Sequence, residues 1–194
     1  ILTQLRRGDT LKFITQKISD VILIDPTLHG DSRGYFSETF RQDLFDEAVG
    51  HNVNFVQENE SKSINGVLRG LHYQLAPYTQ SKLVRVIQGT VLDVVVDIRQ
   101  SSPSYGKHLA IELSAENRYQ LFVPKGFAHG YVVLSEDATF VYKVDNYYAP
   151  EFERGVAFDD PALGIDWLVS LDNLIISIKD KSYPNLSDAP DYLT

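Results

Sequence analysis

The sequence predicts an all-β fold, an antiparallel sandwich or barrel with a few short peripheral helices. Three observations carry this. From Val91 the chain alternates strictly, with Leu92, Val94, Val96 and Ile98 on one face and Val91, Asp93, Val95 and Asp97 on the other. Further short β-type runs follow at close intervals, separated by turn residues. Helical periodicity is clear at one place only. Taken in order, Val21 to Ile24 is an apolar strand stopped by Asp25-Pro26. Gln42 to Val49 spaces Leu44, Phe45, Ala48 and Val49 along one helical face, and Gly50 supplies the stop. Val67 to Gln74 reads as a strand whose alternation puts Arg69, Leu71 and Tyr73 opposite Leu68, Gly70, His72 and Gln74. After the Val91 strand come Leu109–Leu113, Gln120–Val123, Tyr131–Leu134 and Thr139–Val144. Beyond Pro150 the pattern dissolves into aromatic and acidic loops with a polar tail. Many strands without helices between them argue against parallel βαβ units.

The 194 residues suit one domain, expected over residues 17–194 with residues 1–16 as an N-terminal extension. A composition 43% hydrophobic and 23% charged excludes general disorder. The formal charge of −8 argues against a nucleic-acid or anionic-membrane partner. Cysteine is absent, which removes disulfides, thiolate metal sites and cysteine nucleophiles. No apolar run reaches the ~18 residues of a membrane span, and no secretory h-region is visible near the start. A soluble, cytoplasmic protein is expected.

Charge is unevenly spread. Ser61 to Leu92 holds no Asp or Glu, yet contains Lys62, Arg69, Lys82, Arg85 and His72. Folded back as paired strands, these cations can line one concavity and favour a small polyanion such as a nucleotide diphosphate. Chance clustering on a solvated face is as good a reading of the charge alone. His72 is the side chain best suited to proton transfer at neutral pH. Gly70 marks either a close approach of a ligand or a bulge. His129 lies among small residues just before the Tyr131 strand, where a structural turn role is the plainer reading. Tyr142 alternates against Val141 and Lys143, and Lys179-Asp180 reads as a surface pair. The histidines His29, His51, His72, His108 and His129 are scattered without an H-x-H pair, so metal catalysis is not expected. Phosphate-loop, dinucleotide-binding and Gly-x-Ser-x-Gly signatures are absent, so no cofactor is expected.

Seven segments in order carry a resemblance. They are Gly30–Phe36 (GDSRGYF), Phe55–Asn59 (FVQEN), Leu68–Gln74 (LRGLHYQ), Lys82–Arg85 (KLVR), Pro124–Gly130 (PKGFAHG), Phe140–Lys143 (FVYK) and Lys179-Asp180. Between about Val21 and Pro184 the chain resembles the dTDP-4-dehydrorhamnose 3,5-epimerase family, a metal-free branch of the cupins. The resemblance implies a jelly-roll sandwich, a homodimer, and a site inside one barrel mouth. It implies epimerisation at C3 and C5 of dTDP-4-dehydro-6-deoxy-D-glucose, the step that leads to L-rhamnose. By the same resemblance His72 is the base, Asp180 its orienting carboxylate, Tyr142 the acid and Lys82 the stabiliser of the developing oxyanion. Arg33, Glu38, Gln57, Glu58, Asn59, Arg69, His129, Glu153 and Lys179 match positions that hold the sugar nucleotide. Relatives that epimerise one carbon only, and a sugar-nucleotide-binding cupin without catalysis, are the alternative readings.

Overall fold

The structure is a computed structural model that describes residues 10–189. The chain begins with β1 (Leu11–Thr15), β2 (Ile22–Pro26), β3 (His29–Asp31) and β4 (Gly34–Phe36), followed by helix α1 (Gln42–Val49). Next come β5 (Gln57–Ile64), β6 (Val67–Gln74), β7 (Lys82–Gln88), β8 (Thr90–Asp97) and β9 (His108–Ser114). Then follow β10 (Gln120–Val123), β11 (Phe127–Val133), β12 (Asp137–Val144), β13 (Glu153–Gly155) and β14 (Ile175–Ile176). Two sheets face each other as a cupin-like jelly roll. One runs β1-β2-β10-β7-β12-β5, and the other runs β13-β6-β11-β8-β9 with β14 added parallel to β6. Strands β3 and β4 form a separate hairpin.

The central strands are apolar on both faces because each sheet is covered twice. Between the sheets lie Val84, Val86, Val91, Val95, Leu121 and Phe140. The outer face of the second sheet presents Leu68, Leu92, Val94, Val96 and Val132 to Val156, Leu163, Trp167 and Leu186 of the C-terminal segment. On the first sheet, Ile22, Ile24, Leu83 and Phe122 are capped by Phe45 of α1, which meets Phe122 edge-on at 5.1 Å. The two faces expected for β8 are therefore both seen. Leu92, Val94, Val96 and Ile98 enter one core, while Val91 and Val95 enter the other.

Several expectations need correction. The segment after Pro150, read as aromatic and acidic loops, does more than that: it adds β13 and β14 to the second sheet and buries Trp167 and Leu163 against it. Strand β11 starts at Phe127, so His129 sits inside a buried strand rather than in a turn before it. Alternation put Arg69 and His72 on opposite faces of β6, yet both line one cavity. The register between β6 and β11 shifts at this point, where Gly70 takes φ +132° and packs against Gly130; a Cβ there would meet Gly130 Cα at 2.5 Å. Strand β5 carries polar residues on both faces and so gives no apolar signal. Residues 1–9 of the expected N-terminal extension lie outside the described residues, while Leu11–Thr15 pairs antiparallel with β2 as an edge strand. Among the described residues no helix is long and apolar enough to cross a membrane.

Asp97 closes β8 and holds the following loop. It accepts hydrogen bonds from Arg99 Nε at 2.9 Å and from the hydroxyls of Ser102 and Ser104, both at 2.6 Å. Burial pushes its carboxyl upward, but the Arg99, Ser102 and Ser104 bonds outweigh that and hold it down at about 2. A depressed folded-state value means the stabilisation is complete at neutral pH and is lost as pH falls from about 4 towards 2. Asp97→Asn should therefore cost about 2 kcal/mol at pH 7 and flatten the loss of stability below pH 4. Urea unfolding of both proteins at pH 7 and pH 3 checks this; equal losses on acidification would refute it.

Candidate active site

One mouth of the sandwich is polar. Here the inward-facing residues of β5, β6, β7, β12 and β13 surround a cavity of about 300 Å³ lined by Gln57, Asn59, His72, Lys82, Tyr142 and Glu153. A second lobe of about 200 Å³ adds Arg69, His129, Tyr131 and Phe140, and shares His72, Lys82 and Tyr142 with the first. Strand alternation explains the lining. On β7, Lys82 lies on the same face as the core residues Val84 and Val86. On β12, Tyr142 follows buried Phe140 by two and pairs with Asn59 of β5. On β5, Gln57 and Asn59 line the cavity, while Glu58 between them is exposed.

His72 is anchored from outside the sheet. Its Nε2–H donates to Asp180 Oδ1 at 2.8 Å, and Asp180 Oδ2 accepts the Gly70 amide at 3.3 Å. Burial acts to raise the Asp180 carboxyl, but the bond to His72 and the Gly70 amide bring it below the ordinary value. A charged carboxylate on Nε2 fixes the ring tautomer and leaves the Nδ1 lone pair free. Tyr183 meets the imidazole edge-on at 5.7 Å, over Gly155, where any side chain would strike its ring.

Four further groups are tuned by their surroundings. Burial lowers the Lys82 ammonium to about 8, against the opposing pull of Asp93 and Glu153. Burial raises the Tyr142 hydroxyl, with Tyr131 adding to the effect, so it stays protonated at neutral pH. Burial also works to raise Glu153, but Lys179 Nζ at 2.8 Å and the Tyr148 hydroxyl at 2.7 Å more than offset it. Bonding to Glu153 in turn pushes Tyr148 up to about 12.

A second imidazole–carboxylate pair lies deeper. His129 Nε2 is 2.8 Å from Asp93 Oδ2, with both side chains buried, and His129 faces His72 across the β11–β6 register. Burial lowers His129 below the ordinary histidine value despite Asp93. Among the described residues no group of three or more His, Asp or Glu side chains could hold a metal ion.

Of the residues singled out in the sequence, His72, Lys82, Tyr142, Gln57, Asn59, Arg69, His129 and Glu153 line this cavity. Asp180 stands behind His72, and Lys179 pairs with Glu153 rather than with its neighbour Asp180, so the surface-pair reading fails. Three residues do not line it in this chain. Arg33 pairs with Asp31 at the hairpin tip, Glu38 accepts from Thr10 at 2.9 Å, and outward-facing Glu58 pairs with Lys143 at 3.1 Å. The acid-free stretch is likewise divided. Lys82, Arg69 and His72 reach the cavity, Lys62 pairs with Asp137 at 2.8 Å, and Arg85 points to the other side of its sheet. Sequence reading missed Tyr148, Gln74, Gln80 and the buried Asp93. Asp93 had a signal: an acid in mid-strand, flanked on its own face by Val91 and Val95. The arrangement offers a held base, a protonated phenol and a cation around one space, as proton transfer at carbon requires.

Comparison with known proteins agrees with this geometry. A family model described as dTDP-4-dehydrorhamnose 3,5-epimerase matches residues 15–188. The chain is 52% identical to the dTDP-4-dehydrorhamnose 3,5-epimerase of Shigella flexneri, covering 92% of this chain and 98% of that one. The crystal structure of the Elizabethkingia anophelis dTDP-4-dehydrorhamnose 3,5-epimerase superposes with a TM-score of 0.89 at 48% identity, over 92% of this chain and 97% of that chain. The dTDP-6-deoxy-D-glucose-3,5-epimerase of Legionella pneumophila, solved in complex with dTDP-4-keto-L-rhamnose, gives 0.89 at 43% identity, over 95% and 100%. The chain belongs to the dTDP-4-dehydrorhamnose 3,5-epimerase family.

Proposed function

We propose that this protein is an isomerase that inverts C3 and C5 of dTDP-4-dehydro-6-deoxy-D-glucose, giving dTDP-4-dehydro-L-rhamnose in dTDP-L-rhamnose biosynthesis. The observation that carries this reading is the placement of His72, bound to Asp180, in one cavity with Tyr142 and Lys82. Both stereocentres flank the C4 ketone, so loss of either proton gives an enolate. His72 Nδ1 takes the proton from one ring face, and Asp180 stabilises the imidazolium. The Lys82 ammonium donates to the C4 oxygen as charge develops there, a role commonly worth ~3 kcal/mol. Tyr142 returns a proton to the opposite face; the His72 imidazolium then releases its proton to solvent and solvent reprotonates the Tyr142 oxyanion, which resets both groups for the second carbon. Acid–base groups so placed contribute ~10²–10⁴-fold.

Arg69 is assigned to the diphosphate, whose oxygens match its fork of donors. Gln57, Asn59, His129, Glu153 and Lys179 are assigned to the sugar nucleotide. The hairpin of β3 and β4 exposes Tyr35 and Phe36 and carries Arg33 away from this cavity. A homodimer in which Arg33, Glu38 and Glu58 reach substrate across the interface accommodates that placement. The lack of cysteine and the acidic charge fit a cytoplasmic enzyme.

The deciding experiment is incubation with dTDP-4-dehydro-6-deoxyglucose in D₂O, followed at C3 and C5 by NMR. Deuterium enters both carbons on this reading; entry at one marks a mono-epimerase, and entry at neither marks a binding protein. His72→Asn should abolish exchange while dTDP binding persists, and exchange at the wild-type rate would remove His72 from the role of base. Asp180→Asn should lower kcat by about 10²–10⁴-fold with little change in KM; a loss confined to KM would make Asp180 a binding residue. Because Lys82 acts charged and titrates near 8, kcat should fall as pH rises through about 8. That limb should vanish in Lys82→Met, and a limb that persists there would belong to another group.

A further inference from the structure

A second cavity, of about 140 Å³, lies on the outer side of the first sheet and is lined by different residues from those around His72. Two arginines converge on it, Arg85 from β7 and Arg118 from the turn between β9 and β10. Alternation explains why Arg85 is here: with Leu83 it occupies the face of β7 opposite Lys82 and Val84. Gln120 of β10 pairs with it in register, and its amide donates to the Thr39 carbonyl, which ties down the cavity wall.

Both arginines are partly buried, and the turn that carries Arg118 is held by its own hydrogen bonds. Asn117 Oδ1 accepts from the Ser114 and Tyr119 amides, and the Ser114 hydroxyl accepts from the Asn117 amide. That turn presents Arg118 at φ +59° with its guanidinium 4.0 Å above the Tyr35 ring and bonded to the Tyr35 hydroxyl at 2.7 Å. Arg118 Nε is buried with no acceptor. No hydrogen bond or ion pair joins the half-buried Arg85 guanidinium to another described residue. None of the residues lining the cavity is acidic, in a chain with eight more acids than bases. Two unneutralised guanidiniums around a small space, one lacking an acceptor, match the oxygens of a tetrahedral anion.

We propose that the Arg85–Arg118 cavity is a binding site for a phosphate group, separate from the epimerase cavity and independent of the function assigned there. The volume suits a phosphate headgroup and is too small to enclose a nucleotide. Free phosphate and a phosphate monoester share the chemistry; in a monoester, the carbon portion would lie at the mouth beside Tyr35 and Pro26.

The test is a titration of the full ¹⁵N-labelled chain with inorganic phosphate and, separately, with glycerol 3-phosphate, following backbone amides. Saturating shifts are expected at residues 35–39, 85 and 115–120, with a dissociation constant on the order of 1 mM. Tighter binding of glycerol 3-phosphate identifies the monoester as the ligand, and tighter binding of phosphate identifies the free ion. Arg85→Gln and Arg118→Gln should each weaken binding at least tenfold. Arg85→Lys, which keeps the charge and loses the fork, should fall between. The proposal is overturned if neither probe shifts these amides at tens of millimolar. It is equally overturned if the shifts appear only around His72 and Lys82, or if Arg85→Gln and Arg118→Gln, showing a native amide spectrum, bind as the wild type does.

Discussion

The second sheet is apolar on both faces, and the site depends on this. A sheet with Leu68, Leu92, Val94, Val96 and Val132 on its outside must be covered, and the C-terminal segment covers it with Trp167, Leu163 and Leu186. Having crossed that face, the chain turns in at Ser177 to Ser182 and sets Asp180 behind His72. The carboxylate that orients the imidazole is thus held by burial of hydrophobic surface far larger than the site. A lone surface Asp–His contact would be worth little and would wander. Here the carboxylate is buried and receives the Gly70 amide as well as the ring. Loosening the cover should therefore disturb chemistry before it disturbs the sheets.

The second constraint lies between the sheets. Along β7, β8, β11 and β12 the inner face changes from aliphatic to polar towards one mouth: Val84 gives way to Lys82, Val95 and Val91 flank Asp93, and Phe140 leads to Tyr142. Groups placed at the polar end of a dry core have their charges shifted by burial. The ammonium of Lys82 loses protons more readily, the phenol of Tyr142 holds its proton more firmly, and His129 is pushed towards its neutral form. Asp93 and Glu153 limit the fall of Lys82, which leaves it charged near neutrality.

How far the sequence revealed this depended on periodicity. Strand β8 and helix α1 followed from spacing alone, because a pleat or helical turn converts position into direction. Lys82 and Arg85, grouped in one concavity by charge, prove to lie on opposite sides of the sheet. Strand β5 escaped because a strand lining a polar cavity has no apolar face to betray it. A bulge at Gly70 was legible, but its effect, setting Arg69 beside His72, was not, because it rests on two glycine backbones, Gly70 and Gly130, meeting across β6 and β11. Asp180 was recognised only through resemblance; 108 positions separate it from His72, and local pattern says nothing about such a distance. Arg33 and Glu38 were singled out in the same way, yet one chain does not bring them to the cavity.

One short segment shows how much alternation can do. In Lys82-Leu83-Val84-Arg85 the cations are three apart, so the pleat sends them to opposite sides of the sheet. Lys82 enters a buried mouth whose carboxylates, Asp93 and Glu153, keep it charged; Arg85 emerges beneath the hairpin, among residues without a carboxylate. A spacing of two would have put both charges into the same low-dielectric space, where their repulsion would drive the lysine further towards its neutral form. Separation across the sheet keeps Lys82 charged and leaves the second cation to face outward on its own.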